Sequence, residues 1–407
     1  MRILLINQAF YPDVVATAQY LTALAEALAE RGHEVRVLAS RRAYDDPSQL
    51  FAKRERYGAI EIERVGGTGL GKSAKWRRAV DFATFLVRAG IRVLTTRRMD
   101  RVVALTSPPL VAALAVLRCR LRGERFVYWV MDMNPDEALA AGWLRPGLVA
   151  RLLERISRFT VQSADAVVVL DRFMRERVLE KGVAPERVHV VPPWSMDRYA
   201  FFDADGRAAF RRQHGLTGKF VVMYSGNHSP VHPLDTLIEA AERLRADRRF
   251  FFLFVGGGSE FGRLQARAAS AGLTNVKFLA YQPINSLSAS LSAADVQTVV
   301  LGSPMVGTIH PSKLYNILAV GSPVLYVGPE RSHVSDAMEA LRIATANGHP
   351  RQYMRVDFHD PAGVAAWLQE CVAVWKEDAT RTIHTGCEEF SELSLLPRIV
   401  QVVEEGR

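Results

Sequence analysis

Residues 1–40 read MRILLINQAFYPDVVATAQYLTALAEALAERGHEVRVLAS and contain one βαβ pattern. Residues 3–7 are a short apolar run, which predicts a strand. Residues 18–31 repeat apolar side chains at helical spacing, and Gly32 marks the end of the predicted helix. A second apolar run follows at residues 35–39, so we expect a parallel sheet with helices on both faces.

This alternation continues along the chain and is interrupted by VVPPWSMDRY, a proline-containing segment typical of a linker. Further strands are predicted before the linker at residues 102–105, 125–130, 166–170 and 188–191. After it, strands are predicted at 220–224, 250–255, 276–279, 296–301 and 324–327, and a helix at 234–244. The predicted fold class is α/β, with two Rossmann-like, doubly wound parallel-sheet domains. Such sheets bind ligands at the carboxyl ends of their strands, so a cleft between the domains is the expected site.

Composition excludes several classes of protein. The 407 residues are 49% hydrophobic and 23% charged, which is typical of a soluble globular protein and excludes a disordered or collagen-like chain. The cysteines form no CxxC pair, which indicates reduced thiols in a cytosolic protein. No secretory signal is recognisable at the N-terminus, and the longest apolar stretch, residues 102–117, is interrupted by prolines. We therefore expect a soluble or peripheral protein.

The net charge of +9 fits an ordinary basic surface, but also a nucleic acid, an acidic membrane or a polyphosphate as partner. Residues 72–101 contain nine Lys or Arg residues and two Asp residues, interleaved with aromatic and aliphatic side chains. This basic amphipathic pattern is typical of helices that lie on membrane surfaces. The alternative is a helix that covers the sheet and has a solvated basic face. The candidate membrane contacts are Lys72, Lys75, Trp76, Arg77 and Arg78.

Two loops of the first half are candidate ligand contacts. Ala16 and Thr17 begin the first predicted helix, where backbone N–H groups attract phosphate, unless this loop only turns the chain. Asp132 follows a buried strand within YWVMDMNPDEALAAG and is expected at the ligand-binding edge. Capping of the next helix explains Asn134 and Asp136, but it does not require Asp132. A metal-binding interpretation of Asp132 with Asn134 rests on this one pair alone.

Two loops of the second half combine glycines with hydrogen-bond donors. In YSGNHSPVH, Gly226 permits close approach of a ligand, and Asn227, His228, Ser229 and His232 offer donors. The alternatives are an ordinary polar loop or, less favoured, a metal site. In FVGGGSE, Gly256 and Gly257 follow a strand, either to hold a ligand against the backbone or to form a tight turn.

The segment IHPSKLYNILAVGSPVL contains the strongest signal for a bound anion. Lys313 lies in the first turn of a predicted helix that Ser312 or Thr308 caps and that ends at Gly321. A lysine is unfavourable there because the helix dipole is positive at its N-terminus. A bound phosphate would explain the lysine, whereas the alternative is a solvated side chain.

Taken in order, FYPD, LAEALAERGHEVRVLAS, SPPL, DMNPDEALAAG, YSGN, VGGGSE and PSKLYNILAVGSPVL resemble glycosyltransferase family 4 of the GT-B fold, over nearly the whole chain. The similar enzymes are of the colanic-acid and exopolysaccharide type. The resemblance implies a retaining hexosyltransferase that uses a nucleotide-sugar and needs no metal or other cofactor. It also implies an acceptor domain at 1–195, a nucleotide-sugar domain at 196–385, and a C-terminal helix at 386–407 that returns to the first domain.

The chain departs from the family pattern at several positions. Thr308 and Asn316 stand where the family has two glutamates, and Asn227 and His232 stand where it has a pyrophosphate-binding Arg and Lys. Asp132 lies near the position of the family's catalytic-domain His. Lys313 therefore becomes the expected source of positive charge, which His232 could supplement if it is protonated near pH 6.

The predicted catalytic residues are Asp132 for the reacting sugar or acceptor and Lys313 for the diphosphate. The predicted donor-binding residues are Ala16, Thr17, Gly226, Asn227, His232, Gly256, Gly257, Tyr281, Thr308, Ser312, Leu314 and Asn316. Among these, Ser312, Gly226 and Asn227 are assigned to the diphosphate, Asn316 to the ribose and Tyr281 to the base.

The leading prediction is a glycosyltransferase that moves a sugar from a nucleotide-sugar, with UDP favoured, to a lipid-linked or membrane-embedded acceptor in polysaccharide or glycolipid synthesis. It would act in the cytoplasm, on the cytoplasmic face of the inner membrane. The alternatives are a nucleotide-sugar epimerase or hydrolase of the same fold, and a non-catalytic partner subunit. Nucleic acid is the least favoured partner, because no recognisable binding module accompanies the basic residues.

Overall fold

A computed structural model describes residues 1–44, 48–68, 75–196, 198–344, 353–377 and 387–406. The chain forms two compact units. The first contains Met1–Pro192, Gly307–His310 and Leu395–Arg407, and the second contains Pro193–Val306 and Pro311–Ser394. The predicted α/β class with two parallel-sheet domains is confirmed.

The first unit contains an eight-stranded sheet. Its strands are β1 (Arg2–Ile6), β2 (Glu34–Ser40), β3 (Arg54–Tyr57), β4 (Ile60–Val65), β5 (Arg101–Ala104), β6 (Arg125–Trp129), β7 (Ala166–Val169) and β8 (Val188–Val190). Its helices are α1 (Ala16–Glu30), α2 (Lys75–Thr95), α3 (Val111–Arg122), α4 (Asp136–Ala140), α5 (Leu148–Ser163) and α6 (Arg172–Glu180).

The strand order in this sheet is β3-β4-β2-β1-β5-β6-β7-β8, and the pairing is parallel except between β3 and β4. The chain builds the sheet outward from β1 on one side and then crosses to β5 on the other. Loops that follow β1 and β5 therefore meet at a topological switch point, where sheets of this class bind ligands.

The second unit contains a six-stranded, all-parallel sheet with the order β11-β10-β9-β12-β13-β14. Its strands are β9 (Phe220–Asn227), β10 (Phe250–Gly257), β11 (Val276–Leu279), β12 (Val296–Val300), β13 (Val324–Val327) and β14 (Tyr353–Val356). Its helices are α7 (Ala204–His214), α8 (Asp235–Arg243), α9 (Phe261–Ser270), α10 (Leu287–Ser292), α11 (Lys313–Val320), α12 (His333–Ala344) and α13 (Pro361–Ala373). The last helix of the chain is α14 (Glu392–Glu405).

Burial explains why the central strands were predictable. Residues 220–224 of β9 are all buried, as expected for a strand covered on both faces, so they form an uninterrupted apolar run. Phe220, Phe250 and Phe254 belong to the core on one face of the sheet, together with residues of α8 and α13. Each strand predicted from an apolar run corresponds to an observed strand whose ends agree to within a few residues.

Only part of the predicted membrane-contact segment can be compared with the structure. Lys72 lies outside the described residues, as do the side chains of Lys75, Trp76 and Arg78, although these three belong to α2. Arg77 is exposed on the same helix. No helix in the described part of the chain is both long enough and apolar enough to cross a membrane.

Candidate functional site

The second sheet has its own switch point, between β9 and β12. The loops that follow these strands are joined by hydrogen bonds. The N–H of Gly302 donates to the carbonyl oxygen of Val231 at 3.0 Å, and Nδ1 of His232 lies 2.7 Å from the carbonyl oxygen of Val300. A Cβ atom on Gly226 would also lie 2.6 Å from Nζ of Lys313, so the residues predicted from YSGNHSPVH and from the start of α11 are neighbours at the ligand-binding edge of this sheet.

Lys313 begins α11 at this edge, and its ammonium group points inward. Its Nζ atom is buried, has no hydrogen-bond partner within the described part of the chain, and lies 3.6 Å from the ring centroid of Tyr224. Burial lowers the pKa of Lys313 well below its usual value. The cation–π contact replaces only part of the lost hydration, so an ammonium group in this position favours an anionic partner. The structure therefore contradicts the solvated lysine considered as the alternative.

Two glycines create the space around this ammonium group. A Cβ atom on Gly226, whose φ is 145°, would lie 2.6 Å from Nζ of Lys313. A Cβ atom on Gly256, whose φ is 135°, would lie 2.0 Å from the carbonyl oxygen of Gly226. Glycine is thus required at both strand ends by conformation and by space.

The two histidines of the loop are neutral near pH 7. The pKa of His228 is lowered to about 4, and that of His232 to about 3, by burial first and then by the charge of Lys313. His232 therefore does not supplement the charge of Lys313 near pH 6, as it would if it were protonated there. Neither imidazole therefore adds positive charge beside Lys313 near pH 7.

Two further side chains contribute to this edge of the sheet. The hydroxyl oxygen of Ser229 is buried and has no partner among the described residues. Tyr224 supports the Lys313 ammonium through its ring and donates its hydroxyl proton to the carbonyl oxygen of Asn227 at 2.8 Å. Tyr224 was not predicted as a site residue. The signal that could have found it is an aromatic residue at the end of a buried strand, directly before a Gly-containing loop.

The other predicted donor-binding residues of this unit differ in how far their side chains are free to contact a ligand. Asn227 is exposed, and Tyr281 is more than half exposed. The ring of Tyr281 packs against Gly257, since a Cβ atom on this glycine would lie 3.3 Å from Cε2 of the tyrosine. Asn316 accepts a hydrogen bond from the backbone N–H of Met196 at 2.9 Å, which occupies its carbonyl oxygen.

Two predicted residues flank Lys313 in sequence. The side chain of Leu314 is fully buried, so only its backbone could approach a ligand. Ser312 precedes α11, but its side chain makes no capping hydrogen bond, contrary to expectation. At the start of this helix, the N–H groups of Leu314 and Tyr315 donate instead to the carbonyl oxygens of Pro311 and Ser312, each at 3.2 Å.

Asp132 belongs to the first unit, directly beyond β6. Its backbone N–H donates to Oγ1 of Thr106 at 3.3 Å, and burial raises the pKa of the carboxyl group to about 6. A carboxyl group with this pKa is poised to hold or release a proton near neutral pH. The structure thus places Asp132 at the carboxyl edge of the first sheet, as predicted.

Three predicted donor residues also lie in the first unit. Ala16 and Thr17 form the first turn of α1, whose N-terminus receives no side-chain cap. Thr308 is buried, and its carbonyl oxygen accepts a hydrogen bond from the N–H of Met133 at 2.8 Å.

The capping role expected for Asn134 and Asp136 is not observed. Pro135 precedes α4, and the N-terminus of this helix has no side-chain cap. The carboxylate of Asp136 instead accepts a hydrogen bond from Nζ of Lys181 at 3.0 Å, and the same ammonium group contacts Glu154 at 2.8 Å. These ion pairs connect α4, α5 and the end of α6.

Comparisons with known proteins identify the family. Residues 16–194 match the model of a glycosyl transferase 4-like domain, and residues 206–328 match the glycosyl transferases group 1 model. The Escherichia coli protein WcaI, named for colanic acid biosynthesis glycosyl transfer, is 32% identical over 79% of this chain and 82% of its own length. The chain belongs to the GT-B glycosyltransferases.

Solved structures of this class show the same fold at low sequence identity. Sucrose-phosphate synthase from Thermosynechococcus elongatus superimposes with a TM-score of 0.75 at 16% identity, covering 100% of this chain and 98% of its own. The Anabaena protein HepE in complex with UDP gives a TM-score of 0.69 at 15% identity, with both chains fully covered. The resemblance to family 4 glycosyltransferases and the GT-B fold are thereby confirmed.

Proposed function

We propose that this GT-B glycosyltransferase transfers a hexosyl group from a nucleotide-sugar to a lipid-linked or membrane-embedded acceptor, with retention of anomeric configuration and without a metal ion. UDP is the favoured nucleotide. The observation that carries the proposal is the buried ammonium group of Lys313, which lies at the switch point of the second sheet.

The surroundings of Lys313 favour a diphosphate over other anions. Gly226 lets the Lys313 ammonium group lie directly against the end of β9, and the start of α11 beside it has no side-chain cap. His228 and His232 are neutral and can donate hydrogen bonds without adding charge. We assign Lys313, Ser312, Gly226 and Asn227 to the diphosphate, the free amide NH₂ of Asn316 to the ribose, and Tyr281 to the base.

In the proposed reaction, the bond between the anomeric carbon and the diphosphate oxygen breaks while the acceptor oxygen bonds to the same carbon. The proton of the acceptor hydroxyl passes to an oxygen of the departing diphosphate. Negative charge on the leaving group increases in the transition state, and a fixed ammonium group such as Lys313 stabilises it there. Asp132 is assigned to the reacting sugar or the acceptor hydroxyl.

Two observations support UDP and a lipid acceptor. The similar protein HepE binds UDP. On α2, Val80, Val87 and Ile91 expose apolar side chains on the helix that also carries the exposed Arg77. Exposed apolar side chains next to basic ones are typical of a surface that contacts an anionic membrane.

The proposed function is tested by donor turnover. Purified protein is incubated with UDP-, GDP- and ADP-sugars and a membrane extract, and the product's anomeric configuration is determined by NMR. We expect turnover of a UDP-sugar, unaffected by EDTA and with retained configuration. Binding without turnover of any donor would favour a non-catalytic partner subunit, and release of an epimerised or free sugar without an acceptor would favour the epimerase or hydrolase.

A further inference from the structure

The first unit contains a cavity of about 410 Å³ that is open to solvent and lined mostly by charged side chains. Its volume lies within the range of about 300–1,000 Å³ that small-molecule sites occupy. The charged residues of its wall are four arginines and one aspartate: Arg2, Arg98, Arg101, Arg125 and Asp100. The excess of guanidinium groups favours an anion as the ligand of this cavity.

The cavity lies at the amino edge of the first sheet. Arg2, Arg101 and Arg125 are the first residues of β1, β5 and β6, which are neighbouring strands. Asp132 lies beyond the other end of β6. The cavity is therefore separated by the length of the sheet from the residue assigned to the reacting sugar or acceptor, and it is not part of that site.

Carboxylates of the protein neutralise only part of this charge. Asp100 accepts the backbone N–H of Arg2 at 2.7 Å and lies 3.5 Å from its guanidinium group. The other three arginines of the wall form no ion pair within the described part of the chain. Asp165, which does not line the cavity, acts on Arg101 only from beyond ion-pair distance.

Two of the arginines also have a structural role at the end of α14. Arg101 donates from Nε to the carbonyl oxygen of Val403 at 3.3 Å, and Arg125 donates from Nη1 to that of Gly406 at 3.4 Å. The end of a helix carries only about half a negative charge, so these contacts orient the guanidinium groups without neutralising them.

The pairing of the strands places two of these positive charges side by side. The Cα atoms of Arg101 and Arg125 are partners in the ladder between β5 and β6. Burial first, and then the charge of Arg125, lowers the pKa of Arg101. Like charges at this spacing repel each other, and an anion bound between them would relieve the repulsion.

We propose that this cavity binds a soluble, multiply charged phosphate anion, which Arg98 and Arg125 contact directly while Arg2 and Arg101 add positive charge. Arg98 is exposed and contacts neither α14 nor a carboxylate within the described part of the chain, so its guanidinium group is available to a ligand. This inference goes beyond the proposed function, because the anion would be neither the donor nor the acceptor of that reaction.

The test titrates pyrophosphate into the full chain by calorimetry, in the Lys313→Ala variant so that the proposed donor site contributes little. We expect pyrophosphate to bind. Adding Arg98→Gln and Arg125→Gln should weaken this binding at least about tenfold, because two charge-assisted hydrogen-bonding groups are lost. Thermal denaturation shows whether each variant is folded. If the combined variant does not fold, Arg98→Gln alone should still weaken binding at least about threefold.

Arg151→Gln with Arg155→Gln is the matched control. Both arginines are exposed on α5 in the same unit and do not line the cavity, and the change in net charge is the same. In the Lys313→Ala variant, this control should bind pyrophosphate with unchanged affinity. Absence of pyrophosphate binding, undiminished binding after the loss of Arg98 and Arg125, or an equal loss in the control would overturn the proposal.

A phosphate group on a membrane lipid has the same chemistry, so a second measurement separates the two sources. The variant without Arg98 and Arg125 should sediment with phosphatidylglycerol vesicles as the wild type does. Loss of vesicle binding in this variant, in a protein that does not bind pyrophosphate, would assign the arginines to a membrane and overturn the soluble ligand. Pyrophosphate binding that depends on Arg98 and Arg125 would stand even if no nucleotide-sugar were turned over, so the two proposals fail separately.

Discussion

At the scale of single residues, a buried ammonium group without a hydrogen-bond partner among the described residues should destabilise the unliganded protein. Lys313→Met keeps most of the side-chain volume and removes the charge. We expect it to increase the free energy of unfolding by about 1–3 kcal/mol, the desolvation cost of an unsatisfied buried group. Urea denaturation without nucleotide measures the change.

Lys376, which is exposed in the second unit, provides the control for this substitution. Lys376→Met should leave the free energy of unfolding within error of the wild type. A loss of stability in Lys313→Met would contradict the view that the wild-type protein retains this charge for a ligand.

His228 should make the folded state sensitive to acid. Its pKa is lowered to about 4 in the folded protein, whereas the unfolded chain takes up this proton near pH 6.5. The unfolded chain therefore binds this proton more readily than the folded protein does. The contribution of neutral His228 to the free energy of unfolding is complete above pH 6.5 and is lost as the pH falls towards 4, by about 1.4 kcal/mol per pH unit. Urea denaturation at pH 7 and pH 5 should show a smaller acid loss for His228→Gln than for the wild type, and equal losses would contradict the assignment.

The sequence identifies Lys313 as a candidate for anion binding, but it does not show which residues surround the ammonium group. The unfavourable position of a lysine in the first turn of a helix is visible from spacing alone. That Tyr224 lies under the ammonium group depends on how β9 and α11 pack, which no local pattern encodes. For the same reason the neutral state of His232 could not be predicted, since burial controls its pKa.

At the scale of elements, Gly226 in β9 and Gly256 in β10 should not tolerate replacement by a residue with a side chain. Gly256→Ala introduces a Cβ atom 2.0 Å from the carbonyl oxygen of Gly226 and is strained by the φ of 135°. We expect a loss of at least about 1–3 kcal/mol in the free energy of unfolding, with weaker UDP binding because Gly226 must move.

Gly262 in α9 is the matched control, because no atom lies within 4 Å of a Cβ placed there. Gly262→Ala should be neutral or stabilise the protein by up to about 1 kcal/mol, as expected at a helical glycine. Thermal denaturation and calorimetry with UDP measure both variants, and an undisturbed Gly256→Ala would contradict the close approach of the two strands.

Burial of a strand on both faces decides whether the sequence reveals it. Strands buried on both faces, such as β9, appear as apolar runs and were predicted. The antiparallel pair β3 and β4 was not predicted, because charged residues make up most of β3 and half of β4, so neither strand forms an apolar run. β14 at the opposite edge of the second sheet is only partly buried and was missed for a related reason.

At the scale of the whole molecule, the basic segment before and within α2 should attach the protein to anionic membranes. Replacing Lys72, Lys75, Arg77 and Arg78 by Ser should release it from anionic liposomes, since each basic residue near such a surface contributes about 1 kcal/mol. UDP binding should remain intact. Liposome sedimentation measures the release.

A control with the same change in net charge replaces four exposed arginines of the second unit by Ser: Arg212, Arg243, Arg245 and Arg248. This variant should sediment with liposomes as the wild type does. Equal release of both variants would show that the net charge, not the α2 segment, is responsible.

The central claim is that Lys313 holds the diphosphate of a nucleotide-sugar, and calorimetric titration of UDP and uridine into wild type and Lys313→Ala at pH 8 tests it most directly. A charge-assisted contact contributes about 1.5–3 kcal/mol, so the variant should bind UDP about ten- to a hundredfold more weakly. Uridine, which has no phosphate, should bind both proteins alike. If Lys313→Ala binds UDP as tightly as the wild type, the diphosphate does not lie at Lys313 and the account is contradicted.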